Sequence, residues 1–205
     1  MVANHADQLW EQIRAGDAEA FGLLFERHAR AIYNYCFRRT ADWAVAEDLT
    51  SIVFLEAWRR REKELLPEKV LPWLYGIATN VIRNRRRSVR RHAAALGRVA
   101  APRPTADFAG DVLDRLDDEA QMTSILRLVG RLPRRQQDVL ALCVWSELSY
   151  EEAAAALEVP VGTIRSSLSR ARTRLRELAA LTGHGPTTDP ATRSPTDEER
   201  TADPA

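Results

Sequence analysis

Val159-Pro160-Val161-Gly162-Thr163-Ile164-Arg165-Ser166-Ser167-Leu168-Ser169-Arg170-Ala171-Arg172-Thr173-Arg174-Leu175-Arg176-Glu177 reads as a helix with two unlike faces. Ile164, Leu168, Ala171 and Leu175 recur at intervals of four, three and four residues, which is one apolar stripe on a helical period. Arg165, Ser166, Ser169, Arg170, Thr173 and Arg174 fall mostly off that stripe and are expected to face outward. Ser149-Tyr150-Glu151-Glu152, just upstream, has the form of a capping box, in which a Ser hydroxyl caps a helix and the Glu three residues on reaches back. Ala153 to Leu157 are small and apolar, and Glu158 to Gly162 make a tight connection with Pro160 and Gly162 as breakers. A short capped helix, a turn and a basic amphipathic helix are the parts of a helix-turn-helix. Arginines and short hydroxyls on its outer face suit phosphates and base edges. The plainer alternative is a surface helical hairpin with a solvated arginine face; cap, turn and charge together argue against it.

The rest of the chain bounds the setting. Its 205 residues hold one ordinary domain or two small ones, and 45% apolar content suffices for packed cores. No apolar run approaches the roughly 18 residues needed to span a bilayer. Met1 to Gln8 lack a basic start, so no secretory signal and no membrane insertion are expected. Cys36 and Cys143 sit far apart in apolar helical patterns, as expected of reduced core cysteines in a cytoplasmic protein. The net charge of +1 conceals a segregation. Lys69 to Ala106 contain Lys69, eight arginines and no acid, whereas residues 107–119 contain six acids against Arg115 alone. Such local fields, rather than the total, govern contact with nucleic acid.

Along the chain, residues 7–15 form a short helix with Leu9, Trp10 and Ile13 inward. Asp17 is placed to cap a helix to about Arg38 with the stripe Phe21, Leu24, Phe25, His28, Ile32, Tyr35 and Cys36. Asp42 is placed to cap a third helix to about Arg61, and Pro72 suits the first turn of a fourth. That fourth helix carries Trp73, Leu74, Ile77, Ala78 and Val81 and then becomes polyarginine. Beyond it, helices are expected near 118–129 and 134–145, and Gly183 ends the last one. The fold class is all-α: two small helical bundle domains joined by a flexible linker, with the helix-turn-helix in the second. The expected bounds are 7–92 for the first domain, 93–115 for the linker, 116–182 for the second domain, and 183–205 for a disordered tail.

Two further blocks give the chain a family resemblance over roughly residues 10–182. Ala46-Glu47-Asp48-Leu49-Thr50-Ser51-Ile52-Val53-Phe54-Leu55-Glu56-Ala57-Trp58-Arg59 and Pro72-Trp73-Leu74-Tyr75-Gly76-Ile77-Ala78-Thr79-Asn80-Val81-Ile82-Arg83-Asn84-Arg85-Arg86-Arg87 stand in that order ahead of Leu132-Pro133-Arg134-Arg135-Gln136-Gln137 and the helix-turn-helix. The chain resembles bacterial RNA polymerase sigma factors of the small two-domain extracytoplasmic-function (ECF) group of the sigma-70 family. The resemblance implies that the first block docks on the clamp helices of the polymerase's largest subunit. Its outward set is Asp48, Ser51, Ile52 and Leu55, while Leu49, Val53, Phe54 and Trp58 are expected mainly in the core. The family usually has Gln and an acid where Ser51 and Ile52 stand.

The resemblance gives the second block the task of opening the promoter −10 region and holding its non-template strand. Such a strand needs stacking surfaces, amides for unpaired base edges and cations for phosphates. Trp73, Tyr75, Asn80, Arg83, Asn84, Arg85, Arg86 and Arg87 are the candidates, Asn80 and Asn84 lying one turn apart on a shared face. By the same resemblance the loop from about Lys63 to Leu71 walls the pocket of a flipped base. The C-terminal domain then reads the −35 duplex through Thr163, Arg165, Ser166, Ser169 and Arg170, with Arg131, Arg134 and Arg135 on the DNA backbone. The family often has Arg at Ser167, so one outward contact is expected to be missing there. The acidic stretch 107–119 would thread toward the basic RNA exit channel of the polymerase.

The function expected is therefore promoter-specific initiation together with core RNA polymerase, bound at the clamp helices of its largest subunit and the flap of its second-largest. Promoter DNA is the second partner. Relatives of this group are commonly held inactive by an anti-sigma factor, a third candidate partner. The expected place of action is the bacterial cytoplasm, at the nucleoid. A polymerase-independent helix-turn-helix regulator is the alternative, but a receiver domain needs alternating strands and helices that the N-terminal half lacks. An inactive sigma-like antagonist is a further reading. An enzyme is the weakest: the histidines at 5, 28, 92 and 184 are scattered, and neither cysteine has a metal-spaced partner. Neither a cofactor nor a metal is expected.

Overall fold

The computed structural model describes residues 2–62, 69–95 and 112–181, and among them there is no strand. The loop expected to wall a base pocket falls largely at residues 63–68, outside the described residues. So do the linker over 96–111, Gly183 and the C-terminal tail.

Helix α1 runs from Val2 to Arg14, starting earlier than its apolar positions suggest, and buries Trp10 and Ile13. Asp17 then caps α2, Ala18–Thr40: its carboxylate accepts from the backbone N–H of Glu19 at 2.8 Å and of Ala20 at 3.1 Å. These are donors that a helix start leaves without a partner of its own. Leu24, Ile32, Tyr35 and Cys36 are buried as expected. Phe25, expected on the same stripe, is 42% exposed; its ring leans edge-on against Phe54 at 4.7 Å and leaves its outer side in solvent. Ala41 adopts the left-handed conformation (φ 53°) and turns the chain so that Asp42 caps α3, Trp43–Arg59, by accepting from Val45 N–H at 2.8 Å. Helix α4, Val70–Ala95, has Pro72 in its first turn, where a missing N–H costs no hydrogen bond.

Helix α5 spans Val112–Val129 and so begins inside the stretch read as linker. The single helix expected near 134–145 is two pieces: α6, Arg134–Leu140, and a π-helical turn over Ala141–Trp145. The helix-turn-helix is α7, Tyr150–Leu157, and α8, Val161–Leu181. Its capping box is complete, with Ser149 Oγ accepting from Glu152 N–H at 3.2 Å and the Glu152 carboxylate accepting from Ser149 N–H at 2.8 Å. Ile164, Leu168 and Ala171 are buried, as the stripe requires. Cys36 and Cys143 are both free thiols, and burial pushes the Cys36 thiol up to about 12.

The two bundles do not stand apart. Helix α4 packs against α7, and one apolar cluster runs from Trp10 and Leu24 through Leu74 and Ile82 to Leu142, Ala153, Ile164 and Leu168. At this seam Gly76 of α4 meets the backbone of α7; a Cβ on it would lie 2.5 Å from the Ala156 carbonyl oxygen. Further along α4, near Arg83, Arg39 at the end of α2 is 2% exposed and pairs with Asp138 of α6, itself 1% exposed.

The Ser149 cap closes the first turn of the helix that supports α8. Ser149→Ala is expected to lower stability by about 1 kcal/mol. Urea unfolding should show an earlier midpoint at an unchanged slope. An unmoved midpoint would mean the cap contributes nothing.

Candidate polymerase and nucleic-acid interface

Three surfaces carry the residues singled out by sequence. On α3, burial of Ala46, Leu49, Val53, Phe54 and Ala57 turns the opposite face outward. Asp48, Ser51, Ile52 and Leu55 all lie on that exposed face, Ile52 at 44% and Leu55 at 49%. Trp58 is half-buried, edge-on to Phe21 at 5.1 Å and under the Arg61 guanidinium. Exposed aliphatic side chains beside a carboxylate form an apolar centre with a polar rim, the composition of a protein-binding patch.

On α8, Arg165, Ser166, Ser169 and Arg170 are exposed and Thr163 is half-buried, so the face opposite the Ile164 stripe is open. Neighbours hold its guanidinium groups in place. Arg165 lies 3.8 Å from Glu151 and 5.7 Å above the Tyr150 ring, and Arg170 donates to Ser166 Oγ at 3.2 Å. Both arginines keep further donors for a base edge or phosphate. Arg131, Arg134 and Arg135 are exposed around the start of α6. Ser167 corrects the sequence reading: at 1% exposure it points inward, because it sits beside Ile164 and Leu168 on the buried side. No outward contact is lost there.

On α4 the candidates divide. Asn80, Asn84 and Arg87 follow one another along one exposed side, together with Arg85. Trp73 is half-buried, edge-on to Trp10 at 5.6 Å. Tyr75, expected among the strand contacts, is only 5% exposed: its ring packs edge-on to Tyr35 at 5.2 Å and its hydroxyl is hydrogen-bonded with the Ser146 side chain. Burial raises the pKa of this phenol, so it remains neutral. In this structure Tyr75 is a packing residue of the seam, placed there by the same α4 face that carries Gly76 and Thr79. Arg83 and Arg86 also turn toward the second half. Arg83 donates from Nε and Nη2 to one Asp138 oxygen at 2.9 and 2.7 Å. Arg86 donates to Gln137 Oε1 at 3.2 Å and to the Arg39 carbonyl at 2.7 Å. Burial, then the neighbouring Arg39 charge, lowers the Arg86 pKa.

Sequence reasoning missed Arg38, Arg39, Asp138 and Glu119. Arg38 donates to the Trp145 carbonyl, and Arg39 donates to the Gln137 carbonyl at 3.0 Å as well as to Asp138. The Glu119 carboxylate accepts from Trp43 N–H at 3.1 Å, adding a second anion to the start of α3. Of the acidic stretch, Asp117 and Asp118 are exposed, and Asp107 and Asp111 lie outside the described residues. One signal for the seam was present in the sequence: Gly76 interrupts an otherwise good helix, and such a glycine often marks a close backbone approach.

Comparison with known proteins agrees with this geometry. Residues 24–92 match the family described as Sigma-70 region 2, and residues 122–175 match Sigma-70, region 4. The RNA polymerase sigma-H factor of Pseudomonas aeruginosa is 31% identical over 191 residues, spanning 84% of this chain and 93% of that protein. The ECF RNA polymerase sigma factor SigW of Bacillus subtilis is 28% identical over 173 residues, spanning 82% and 92%. A solved co-crystal structure of the sigma factor RpoE with the anti-sigma factor NepR from Bartonella quintana shares the fold, with a TM-score of 0.59 at 24% identity, covering 80% of this chain and 99% of that one. The chain belongs to the sigma-70 family of RNA polymerase sigma factors, in its ECF group. Among the described residues no helix is long and apolar enough to cross a membrane.

Arg165→Ala and Arg170→Ala are each expected to weaken binding to the cognate −35 duplex by about 1–3 kcal/mol and to relax sequence preference there. Electrophoretic titration against cognate and scrambled duplexes reads both effects. Equal losses on every sequence would assign the two side chains to phosphate instead.

Proposed function

We propose that this sigma factor divides its work among three helices. Helix α3 docks on the clamp helices of the polymerase's largest subunit through Asp48, Ser51, Ile52 and Leu55. The second half, residues 116–182, engages the flap of the second-largest subunit and reads the −35 element with α8. The first half, residues 7–92, opens the −10 element and holds the displaced strand along α4. The observation that carries this reading is the joint exposure of the α3 patch and the outer α8 face, one in each half of a chain whose family assignment is that of a sigma factor. Each face is set by the burial of its opposite side, so neither is an accident of side-chain placement.

For the strand, Asn80 and Asn84 offer amides to base edges, Trp73 a stacking surface, and Arg83, Arg85, Arg86 and Arg87 cations for phosphate. Arg134 and Arg135 set the register of the second half on the duplex backbone. The chain acts as a specificity subunit and leaves nucleotide chemistry to the polymerase, so it needs no cofactor or metal of its own. It acts in the cytoplasm at the nucleoid. An anti-sigma factor is a further proposed partner, since RpoE of Bartonella quintana is seen with one. The acidic residues of 107–119 are proposed to lie toward the basic RNA exit channel.

Run-off transcription with purified bacterial core polymerase tests the whole reading. Adding the chain should produce discrete new start sites that share paired −35 and −10 elements. Sequence-specific duplex binding without any new transcript would favour a polymerase-independent regulator. Within the same assay, Asn80→Ala is expected to lower permanganate reactivity of −10 thymines while leaving closed-complex binding nearly unchanged. Full reactivity in that variant would remove Asn80 from the opening step.

A further inference from the structure

Helices α2 to α6 all contribute to the wall of one cavity of about 480 Å³. The wall has two parts. Val45, Ile82, Val89 and Leu126 are aliphatic, and Arg39, Arg85, Arg86, Arg90 and Arg134 are cationic. Asp42 is the one acid on this wall, and its carboxylate already accepts from Val45 N–H at 2.8 Å. Helix α4 supplies both parts, because Arg85 and Val89, like Arg86 and Arg90, stand four residues apart and share a face.

Most of these cations have no anion of their own. Arg39 is paired with Asp138, yet its Nε is buried without an acceptor. Arg86 donates only to neutral acceptors, Gln137 Oε1 and the Arg39 carbonyl, and Arg90 to the Arg86 carbonyl at 3.3 Å. Arg85 and Arg134 make no hydrogen bond or salt bridge with another described residue. Burial lowers the Arg86 pKa, and the charges of Arg39 and Arg134 push the same way. Like charges gathered in a partly desolvated setting are unfavourable until an anion enters.

The size and the mixed wall narrow the class of that anion. Small-molecule sites occupy about 300–1,000 Å³, far more than a bare phosphate fills. An aliphatic surface calls for a ligand with an apolar or flat body. An acyl carboxylate has such a body but brings a single charge to several arginines. A nucleotide meets both demands. Its adjacent phosphates offer paired oxygens to guanidinium forks, and its base can lie against aliphatic side chains or a guanidinium plane.

We propose that this cavity is a binding site for a nucleoside diphosphate or triphosphate, with the phosphates among Arg85, Arg86, Arg90 and Arg134 and the base against Val45, Ile82 and Val89. Arg85, Arg86 and Arg134 are also proposed DNA contacts, so the test substitutes Val89 and Arg90, which are not.

Isothermal titration calorimetry of the full-length chain reads the binding of ADP, inorganic pyrophosphate and adenosine. A salt concentration of about 0.15 M screens general attraction to a basic surface. ADP should bind with one molecule per chain. Pyrophosphate leaves the aliphatic wall uncovered and should bind at least about tenfold more weakly, while adenosine, without phosphates, should give no measurable binding. Val89→Glu sets a carboxylate among the arginines, and Arg90→Gln removes one cation. Both positions are exposed on α4 and both new side chains favour a helix, so circular dichroism should show unchanged helix content. Each variant should bind ADP at least about tenfold more weakly than wild type. Should one variant lose helix content, the other decides. No binding of ADP at millimolar concentration overturns the proposal. So does ADP binding that folded variants retain in full, or pyrophosphate binding as tight as that of ADP. A random-sequence single-stranded DNA that binds where ADP does not, and binds more weakly to both variants, would assign the cavity to strand phosphates instead.

Discussion

The carboxylate of Asp138 is the point on which the arrangement of this molecule turns. It is almost fully buried, and it faces Arg39, equally buried, and Arg83. A buried charge persists only with a partner, and removing one member of such a pair costs about 3–5 kcal/mol because the other is left without compensation. The same pair adds little net stability relative to an apolar contact of the same shape. A device of this kind suits the specification of one arrangement more than its strengthening. It joins α2 and α4 of the first half to α6 of the second, and it fixes which side of α4 faces solvent.

The two faces left open follow from ordinary helix amphipathicity. Helix α8 buries Ile164, Leu168 and Ala171 and so must present Arg165, Ser166, Ser169 and Arg170. Helix α3 buries Leu49, Val53 and Phe54 and so must present Asp48, Ser51, Ile52 and Leu55. Helix α4 differs, since it is covered on two sides. Its inner face packs in the first bundle through Leu74, Ala78 and Ile82, and a second strip meets α7 through Gly76. One helix thus belongs to two packing surfaces and leaves a narrow polar edge at Asn80, Asn84 and Arg87.

What the sequence made legible is what short-range chemistry determines. The caps at Asp17, Asp42 and Ser149 use side chains within three residues of the groups they satisfy, so they are visible as local patterns. The stripes of α3 and α8 were legible because burial and period coincide. Tyr75 looks available because it stands near a basic run, and position 167 looks outward-facing because the family often has Arg there; only the neighbouring helices show that both side chains are covered. The pairing of Arg39 with Asp138 spans 99 residues, and nothing in either local sequence announces it. Gly76 was the exception, a helix-interior glycine whose missing side chain makes room for the Ala156 carbonyl. Gly76 and Arg83 lie within a block that the family signature covers, yet their contact with the second half depends on partners in α6 and α7 that the block does not contain.

The central claim is that the buried Asp138 carboxylate, held by Arg39 and Arg83, fixes how the two halves pack. The direct measurement is single-molecule energy transfer between one dye on Glu47 of α3 and another on Arg176 of α8, both exposed. It is read on the wild-type chain and again on its Asp138→Ala variant. The account predicts a single high-transfer population for wild type and a broader, lower-transfer distribution for the variant, whose buried arginine is left without compensation. The same transfer efficiency in both chains would contradict it.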